Sequence, residues 1–323
     1  MKSVERKSIA KTILKPGSVL VMFLILSVVS GVLASPHFLD FDYILAAMTQ
    51  YIELGIVAIA FTFILISGEI DISVASAMTL ASCFAAVLFD AGIPMGLVII
   101  LTLLFGMILG LINGALTTFT KINSLIITLG TMSLYRGAAQ ILIGKGSIGG
   151  FPEWFVGIDR MLVFGFLPLS ILVLIVLVAI MEVILKKTFF GRKVFAMGTN
   201  DKVALYSGVK MHKNKLILFA ILGLFTGIAG LMQISRFGLA KYSLGLGGEL
   251  DVITMVLLGG TAFSGGRGST IGTALAFLVI VLIKISMTLI NMERMIQLMI
   301  IGLLLVVTII ISDRLHKYQD LNS

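Results

Sequence analysis

The sequence has little of the side-chain chemistry on which enzymes and metal proteins depend. Its one cysteine, Cys83, excludes an internal disulfide. The three histidines, His37, His212 and His316, are far apart and outside the apolar runs, so they form no ligand set for a metal. The nucleotide-binding pattern GxxxxGK[ST] and the hydrolase patterns HExxH and GxSxG are absent. We therefore expect a chain that is not an enzyme and that binds neither a metal nor ATP by itself.

Charged residues are also scarce, at 12% of 323 residues, whereas soluble domains have about 25%. Hydrophobic residues make up 59% of the chain. A membrane-spanning helix needs about 20 mainly apolar residues, and a backbone in lipid must satisfy its hydrogen bonds internally. The sequence therefore predicts an all-α, polytopic membrane protein with a single transmembrane domain over residues 1–323. Its ten predicted spans are 17–34, 44–66, 73–90, 95–119, 122–143, 166–185, 215–235, 250–263, 269–289 and 295–311.

Basic residues predict the orientation, because Lys and Arg accumulate on the cytoplasmic side of a membrane protein. Ten spans place three basic segments together in the cytoplasm, including both chain ends: the N-terminal Lys2, Arg6, Lys7, Lys11 and Lys15, the segment 186–215, and Arg314 with Lys317. The net charge of +8 follows this rule and does not indicate nucleic-acid binding. Five basic residues are exceptions that fall outside: Lys145, Arg160, Arg236, Lys241 and Arg294.

Two segments interrupt the helical pattern, one in each half of the chain. They are SGEIDIS at 67–73 and LLGGTAFSGGRGS at 257–269. Interrupted spans in both halves indicate a transport pathway. In the first segment, Glu69 and Asp71 either shape a gate or dock a partner, or they are polar residues at a helix end. The amides of Gln50 and Asn113 either bond a solute or bridge helices.

Glycines follow two patterns with different meanings. Rows at helical spacing predict helices that pack closely in lipid: Gly106, Gly110 and Gly114, and Gly223 with Gly227. Gly144, Gly146 and Gly149 match GxGxxG, but no strand precedes them and Pro152 follows. This second pattern predicts a helix cap and an external loop, not a nucleotide site.

The segment 186–215 is a basic island with eight Lys or Arg residues and one acid, Asp201. Asn200 is suited to cap a short helix over 201–207, and Gly208 is suited to end it. Two helical turns are marginal in water, so this helix needs a surface to pack on. Apolar residues at 203–206 offer the contact. The surface is either a cytoplasmic partner or the membrane itself.

Four motifs occur in order along the chain. They are GEIDIS at 68–73; Asn113-Gly114 with TLGT at 128–131 and YRG at 135–137; Gly191-Arg192 with Ala196, Gly198, Asn200, Ala204 and Ser207-Gly208; and Gly259-Gly260 with GGRGS at 265–269. In these motifs, and over nearly its whole length, the chain resembles the ribose-type permeases of bacterial ABC importers, within the branched-chain amino-acid/sugar permease group. Residues 151–152 and 203–207 are most similar to permeases for autoinducer-2. Glu69 and Ala75 depart from the family pattern, which often has glycine there.

The resemblance implies a type II-like importer permease, a non-catalytic subunit in the bacterial cytoplasmic (inner) membrane. It implies three partners: cytoplasmic ABC ATPases that hold the ATP, a second permease subunit, and an extracytoplasmic solute-binding protein. The residues expected to couple to the ATPase are Gly191, Arg192, Ala196, Gly198, Asn200, Ala204, Ser207 and Gly208. Those expected in the pathway or gate are Gln50, Glu69, Asp71, Ser73, Asn113, Thr128, Gly259 and Gly260.

The implied solute is a ribose-type sugar or autoinducer-2. The alternative function is an ion-coupled secondary transporter or facilitator that acts without an ATPase. Such a transporter needs ionisable residues at mid-membrane, and only four residues come near that depth: Glu53, Arg136, Glu182 and Lys284. We therefore favour the importer permease.

Overall fold

The computed structural model describes residues 16–35, 38, 40–120 and 122–320, and no side chain at 16–19, 34 or 312–320. The described chain is mostly helical. Its helices are α1 Pro16–Ala34, α2 Phe41–Thr49, α3 Ile52–Ile66, α4 Val74–Asp90, α5 Met95–Thr120, α6 Ser124–Ile143, α7 Leu169–Lys187, α8 Phe189–Thr199, α9 Asp201–Tyr206, α10 Met211–Phe237, α11 Gly248–Leu258, α12 Thr270–Leu289 and α13 Arg294–Asp320.

These helices confirm the predicted all-α membrane architecture. Six helices within the described residues are long and apolar enough to span a membrane: α5, α6, α7, α10, α12 and α13 over Arg294–Ile311. The pair α2 and α3 adds a seventh if it is taken as one bent span. Helix α4 and the stretch Leu20–Leu33 of α1 are apolar but shorter.

Five predicted spans differ from the observed helices by three residues or more at one end or by a break. Two of them are simply longer: 215–235 is Met211–Phe237, and 295–311 lies within Arg294–Asp320. The span 44–66 is two helices that meet at 68°, with the break at residues 50–51. The span 166–185 starts later, at Leu169, because the residues before it belong to a short β-ribbon. The span 250–263 ends too late, since α11 stops at Leu258 after 11 residues. At about 1.5 Å per residue, α11 crosses only about half of a bilayer core.

The basic island also differs from its predicted form as a loop with one short helix. It contains two helices, α8 and α9, and α8 was not predicted. The predicted basic groups at the two chain ends fall in parts of the chain for which no side chain is described. This applies to Lys2, Arg6, Lys7, Lys11, Lys15, Arg314 and Lys317, and likewise to His37 and His316.

Helix α3 is the centre of the bundle. All 15 of its residues are buried, and only Glu53 and Thr62 among them carry a polar side chain. A helix that is apolar on every side suits either lipid or the interior of a bundle, and here protein surrounds it. Helices α7, α8, α10, α11 and α12 pack around it. The few polar groups near α3 are therefore far from lipid.

The predicted glycine rows bring α5 and α10 into direct backbone contact. A Cβ atom on Gly106 would lie 2.5 Å from the carbonyl oxygen of Gly223, and one on Gly110 would collide with the carbonyl of Phe219. Lipid provides no hydrophobic force between helices, so close van der Waals packing of this kind holds them together.

Two short antiparallel ribbons lie at one end of the bundle. β1 Ile148–Gly149 pairs with β4 Leu239–Ala240, and β2 Leu162–Val163 pairs with β3 Leu167–Pro168. Gly144 ends α6 with φ +71°. The predicted helix cap is confirmed at Gly144, but the predicted loop differs, because Gly149 lies in strand β1.

Candidate functional site

Helices α8 and α9 define what we call the basic end of the bundle. Thr188 caps α8 by accepting a hydrogen bond from the Gly191 amide at 3.2 Å. Asn200 caps α9 by accepting from the amides of Lys202 at 3.0 Å and Val203 at 3.1 Å. Gly208 follows with φ +81°, a backbone conformation that suits glycine. The predicted cap and stop of the short helix are confirmed.

Helix α9 presents an apolar patch to its surroundings. Val203 is 60% exposed, Leu205 58% and Tyr206 89%, whereas Ala204 is buried. One turn of α9 is therefore anchored through Ala204 while its other side chains remain available for contact. Arg192, on α8, stacks over the Phe189 ring at 4.2 Å.

Gly198, near the end of α8, touches both interrupted segments. A Cβ at Gly198 would collide with the carbonyl of Ile66 and lie 2.5 Å from the Gly266 amide. That amide donates to the Ile66 carbonyl at 2.8 Å, which joins the two interruptions directly. A Cβ at Gly265 would lie 3.0 Å from the Gly68 Cα and 3.1 Å from the Gly198 carbonyl oxygen. We call this contact of Gly68, Gly198, Gly265 and Gly266 the glycine junction.

The second interruption is tied to α7 as well. Glu182 accepts a hydrogen bond from the Thr270 amide at 3.0 Å and forms an ion pair with Lys186 at 2.5 Å. Gly259 packs against the start of α12, since a Cβ there would lie 2.6 Å from the backbone of Gly272. Gly260 begins the turn with φ +88°. The end of α11 thus has no side-chain layer between it and α12.

A buried polar network holds the first interruption to α5 and α6. Asp71 accepts from the Ser73 amide at 2.8 Å and from the Asn113 amide group at 3.0 Å. The Ser73 hydroxyl donates to Asp71 at 2.6 Å. Tyr135 donates to the Asn113 side-chain oxygen at 3.1 Å. Thr128 accepts from the Ile72 amide at 3.3 Å. Four predicted pathway residues, Asp71, Ser73, Asn113 and Thr128, therefore form one cluster.

Two other predicted pathway residues lie apart from this network. Glu69 forms an ion pair with Lys215 at the start of α10. Gln50 lies at the break between α2 and α3, on the end of the bundle away from α8 and α9. The structure thus divides the predicted pathway residues between the two ends. Their roles in coupling or gating stay predictions.

Two adjoining cavities open at the end opposite α8 and α9, which we call the opposite end. One has a volume of about 660 Å³ and the other about 330 Å³, and both are lined by Gln50, Arg236 and Phe237. The smaller cavity contains two ion pairs, Arg236 with Glu53 and Lys284 with Asp251 at 2.6 Å. Of the residues in these walls, sequence reasoning assigned only Gln50 to the pathway. The missed signal was Arg236, an exception to the positive-inside rule, together with Glu53 and Lys284 inside apolar runs.

The described part of the chain has no group of three His, Cys, Asp or Glu side chains that would hold a metal ion. The ionisable residues noted within the spans each have an acidic or basic partner. Arg136 pairs with Glu249 at 3.3 Å, Glu182 with Lys186, and Glu53 and Lys284 pair as above. Within the part of the chain that the structure describes, each of these four residues is therefore charge-paired.

The sequence matches a family model and several known proteins. Residues 43–309 match the family model described as branched-chain amino acid transport system/permease component. The chain is 36% identical, over 307 residues and 93% of both chains, to the autoinducer 2 import system permease protein LsrD of Escherichia coli K12. The proteins of that name from Shigella flexneri and E. coli O157:H7 match equally well. No solved structure matches the chain significantly.

Proposed function

Because the chain belongs to the branched-chain amino acid transport system permease family, a family of ABC importer permeases, we propose that it carries a sugar-like solute into the cytoplasm. The solute class is a monosaccharide or a furanose-like molecule such as autoinducer-2. The name of its relatives, autoinducer 2 import system permease, supports this class. The chain then works as one subunit of a larger machine in the cytoplasmic (inner) membrane.

The observation that carries the proposal is the glycine junction. Gly198, on α8, is in backbone contact with the turn after α3 and the turn after α11. Helix α9, joined to α8 through Asn200, presents Val203, Leu205 and Tyr206 outward. A partner that binds this patch is thus one short helix away from both interruptions. An ATPase bound there would shift the balance between two arrangements of the bundle when it binds ATP.

The partners follow from this assignment. The basic end faces the cytoplasm, and the ATPase that holds the ATP binds α9. The coupling contact includes the predicted residues Gly191, Arg192, Ala196, Gly198, Asn200, Ala204, Ser207 and Gly208. A solute-binding protein docks on the opposite end, and a second permease subunit, either another copy or a sister chain, completes the pore.

The test is ATP-dependent uptake by the assembled importer, with labelled autoinducer-2 and D-ribose as the probes. We expect Gly198→Val to abolish uptake, because its side chain collides with the Ile66 carbonyl. Gly137→Ala is the matched control, since a Cβ there meets nothing within 4 Å. Full uptake by the Gly198→Val variant would remove the coupling role. Uptake driven by an ion gradient in vesicles that contain only this chain would favour the secondary transporter.

A further inference from the structure

Helix α5 has an exposed apolar stripe that runs along it to the basic end of the bundle. The stripe is one face of the helix, because its members follow one another at intervals of three or four residues. Its residues are between 39% and 68% exposed: Ile100, Leu104, Ile108, Ile112, Leu116 and Phe119. In a membrane span, an exposed stripe that is wholly apolar lies against the acyl chains of lipid.

A small pocket lies where this stripe ends. It has a volume of about 230 Å³ and is formed by the end of α5, helix α9 and the start of α10. Sites for small molecules usually have about 300–1,000 Å³, so this pocket suits part of a molecule better than a whole one. The Phe119 ring stacks on the ring of His212, a residue of the pocket wall, with centroids 6.1 Å apart. The apolar stripe and the pocket are therefore continuous.

The surroundings of the pocket are basic. The titratable residues of its wall are Lys202, His212, Lys215 and Asp201. Lys215 is already paired with Glu69, whereas Lys202 is exposed. The segment 201–215 as a whole has four lysines and one acid, Asp201. Even with Glu69 counted, two positive charges remain in excess, so the potential around the pocket favours an anionic group.

The start of α10 is a further attraction for an anion in this pocket. A helix N-terminus has unpaired amides and a partial positive charge. At the same end of the bundle, the side-chain oxygens of Thr188 and Asn200 cap α8 and α9. The residue before α10 is Lys210, whose side chain offers no acceptor and makes no cap hydrogen bond. An anion beside Met211 and His212, which line the pocket, would supply that acceptor.

We propose that this pocket binds the phosphate headgroup of an anionic phospholipid, whose acyl chains lie along the exposed stripe of α5. The positive charge selects an anionic headgroup, and the adjoining stripe selects a lipid over a soluble phosphate compound. In α9, Lys202 and Leu205 line the pocket, whereas Val203 and Tyr206 are outside its wall and stay available to the ATPase. The lipid thus supports α9 from the membrane. This inference goes beyond the proposed function, since it holds whichever solute the chain carries.

The experiment measures lipid binding to the full-length chain in detergent by native mass spectrometry. The probes are dioleoylphosphatidylglycerol, which is anionic, and dioleoylphosphatidylcholine, which is zwitterionic. We expect the wild type to bind phosphatidylglycerol more tightly than phosphatidylcholine. The variant Lys202→Gln/Lys215→Gln should bind phosphatidylglycerol more weakly, by about fivefold for each lysine removed. The matched control is Lys187→Gln/Lys193→Gln, which removes two exposed lysines of the same basic island outside the pocket and should bind like the wild type.

Two further arms keep the result decisive. If the loss of the Glu69 partner prevents the double variant from folding, Lys202→Gln alone is compared with Lys187→Gln alone. Inorganic phosphate carries the anionic group without acyl chains, and we expect it not to displace phosphatidylglycerol even in excess over the lipid. Equal binding of the two lipids, equal weakening in the pocket and control variants, or displacement by inorganic phosphate would overturn the inference.

Discussion

Asn113 is the residue that joins three parts of the bundle. Its amide group donates to Asp71 at 3.0 Å and to the Ser73 hydroxyl at 2.8 Å, and its oxygen accepts from Tyr135. The first interruption, α5 and α6 thus meet at one side chain. The sequence left two functions open for this amide, solute binding and helix bridging. The structure favours helix bridging. The bridging bonds are made within the protein.

Replacing Asn113 with leucine tests this bridge. Asp71 would lose a donor while still buried, and we expect a loss of about 1–3 kcal/mol in the free energy of unfolding. Thermal unfolding of the purified chain in detergent measures it. Thr117→Val is the control on the same helix, because the Thr117 hydroxyl is buried without a partner in the described part of the chain. We expect that control to be neutral or stabilising, and equal losses in the two variants would contradict the bridging role.

Asp159, in the turn between α6 and α7, predicts a pH dependence. Burial raises the pKa of its carboxyl group above the ordinary value, and the nearby Arg160 and Arg236 only partly offset this effect. At pH values between the unfolded and the folded pKa, the folded chain therefore holds a proton that the unfolded chain has lost. The contribution of Asp159 to stability falls as the pH rises through this range. Asp159→Asn removes the titration. We expect its melting temperature to decline less than that of the wild type as the pH rises above about 4, and parallel curves would contradict this.

At the scale of elements, the contact of α5 with α10 depends on the absence of side chains. We expect Gly110→Ala to destabilise the chain, because its Cβ collides with the carbonyl of Phe219. Gly96→Ala, on the same helix, meets nothing within 4 Å. It should gain about 0.5–1 kcal/mol from the better helix propensity of alanine. Thermal unfolding of both variants in detergent is the measurement, and a Gly110→Ala variant as stable as Gly96→Ala would show that α10 is free to shift.

Helix α9 makes a different prediction, because its exposed apolar residues contribute little to the fold of this chain. We expect Tyr206→Ser combined with Leu205→Ser to reduce co-purification of the ATPase and ATP-dependent uptake severalfold. The unfolding temperature should stay nearly unchanged, since both side chains are exposed. Met161→Ser, an exposed apolar residue at the opposite end, is the control. Loss of stability without loss of the ATPase would assign the patch to folding.

At the scale of the molecule, the sequence predicted most of what local chemistry determines. Asn200 and Gly208 predicted where α9 begins and ends, and the glycine rows predicted the close packing that α5 and α10 show. Helix α8 was missed because the segment was interpreted from its charge alone, and basic residues such as Arg192 and Lys193 indicated a loop. The 68° break at residues 50–51 was missed because a hydropathy run records length but not direction.

The two ion pairs of the smaller cavity, Arg236 with Glu53 and Lys284 with Asp251, show most clearly what sequence patterns do not predict. Glu53 and Arg236 are 183 positions apart, and no pattern within either apolar run indicates that they meet. Only the three-dimensional packing of α3 against α10 brings them together. The type II-like arrangement and the second subunit stay predictions for the same reason. They depend on contacts between chains that a single sequence does not encode locally.

The glycine junction has a mechanical consequence. Where side chains separate two elements, rotamer changes absorb small displacements before the backbone must move. At Gly198, Gly68 and Gly265 the backbones meet directly, so no side chain is present to absorb such a displacement. We therefore expect a tilt of α8 to displace the ends of α3 and α11 together. In that case the turns after α3 and α11 would open and close together or not at all.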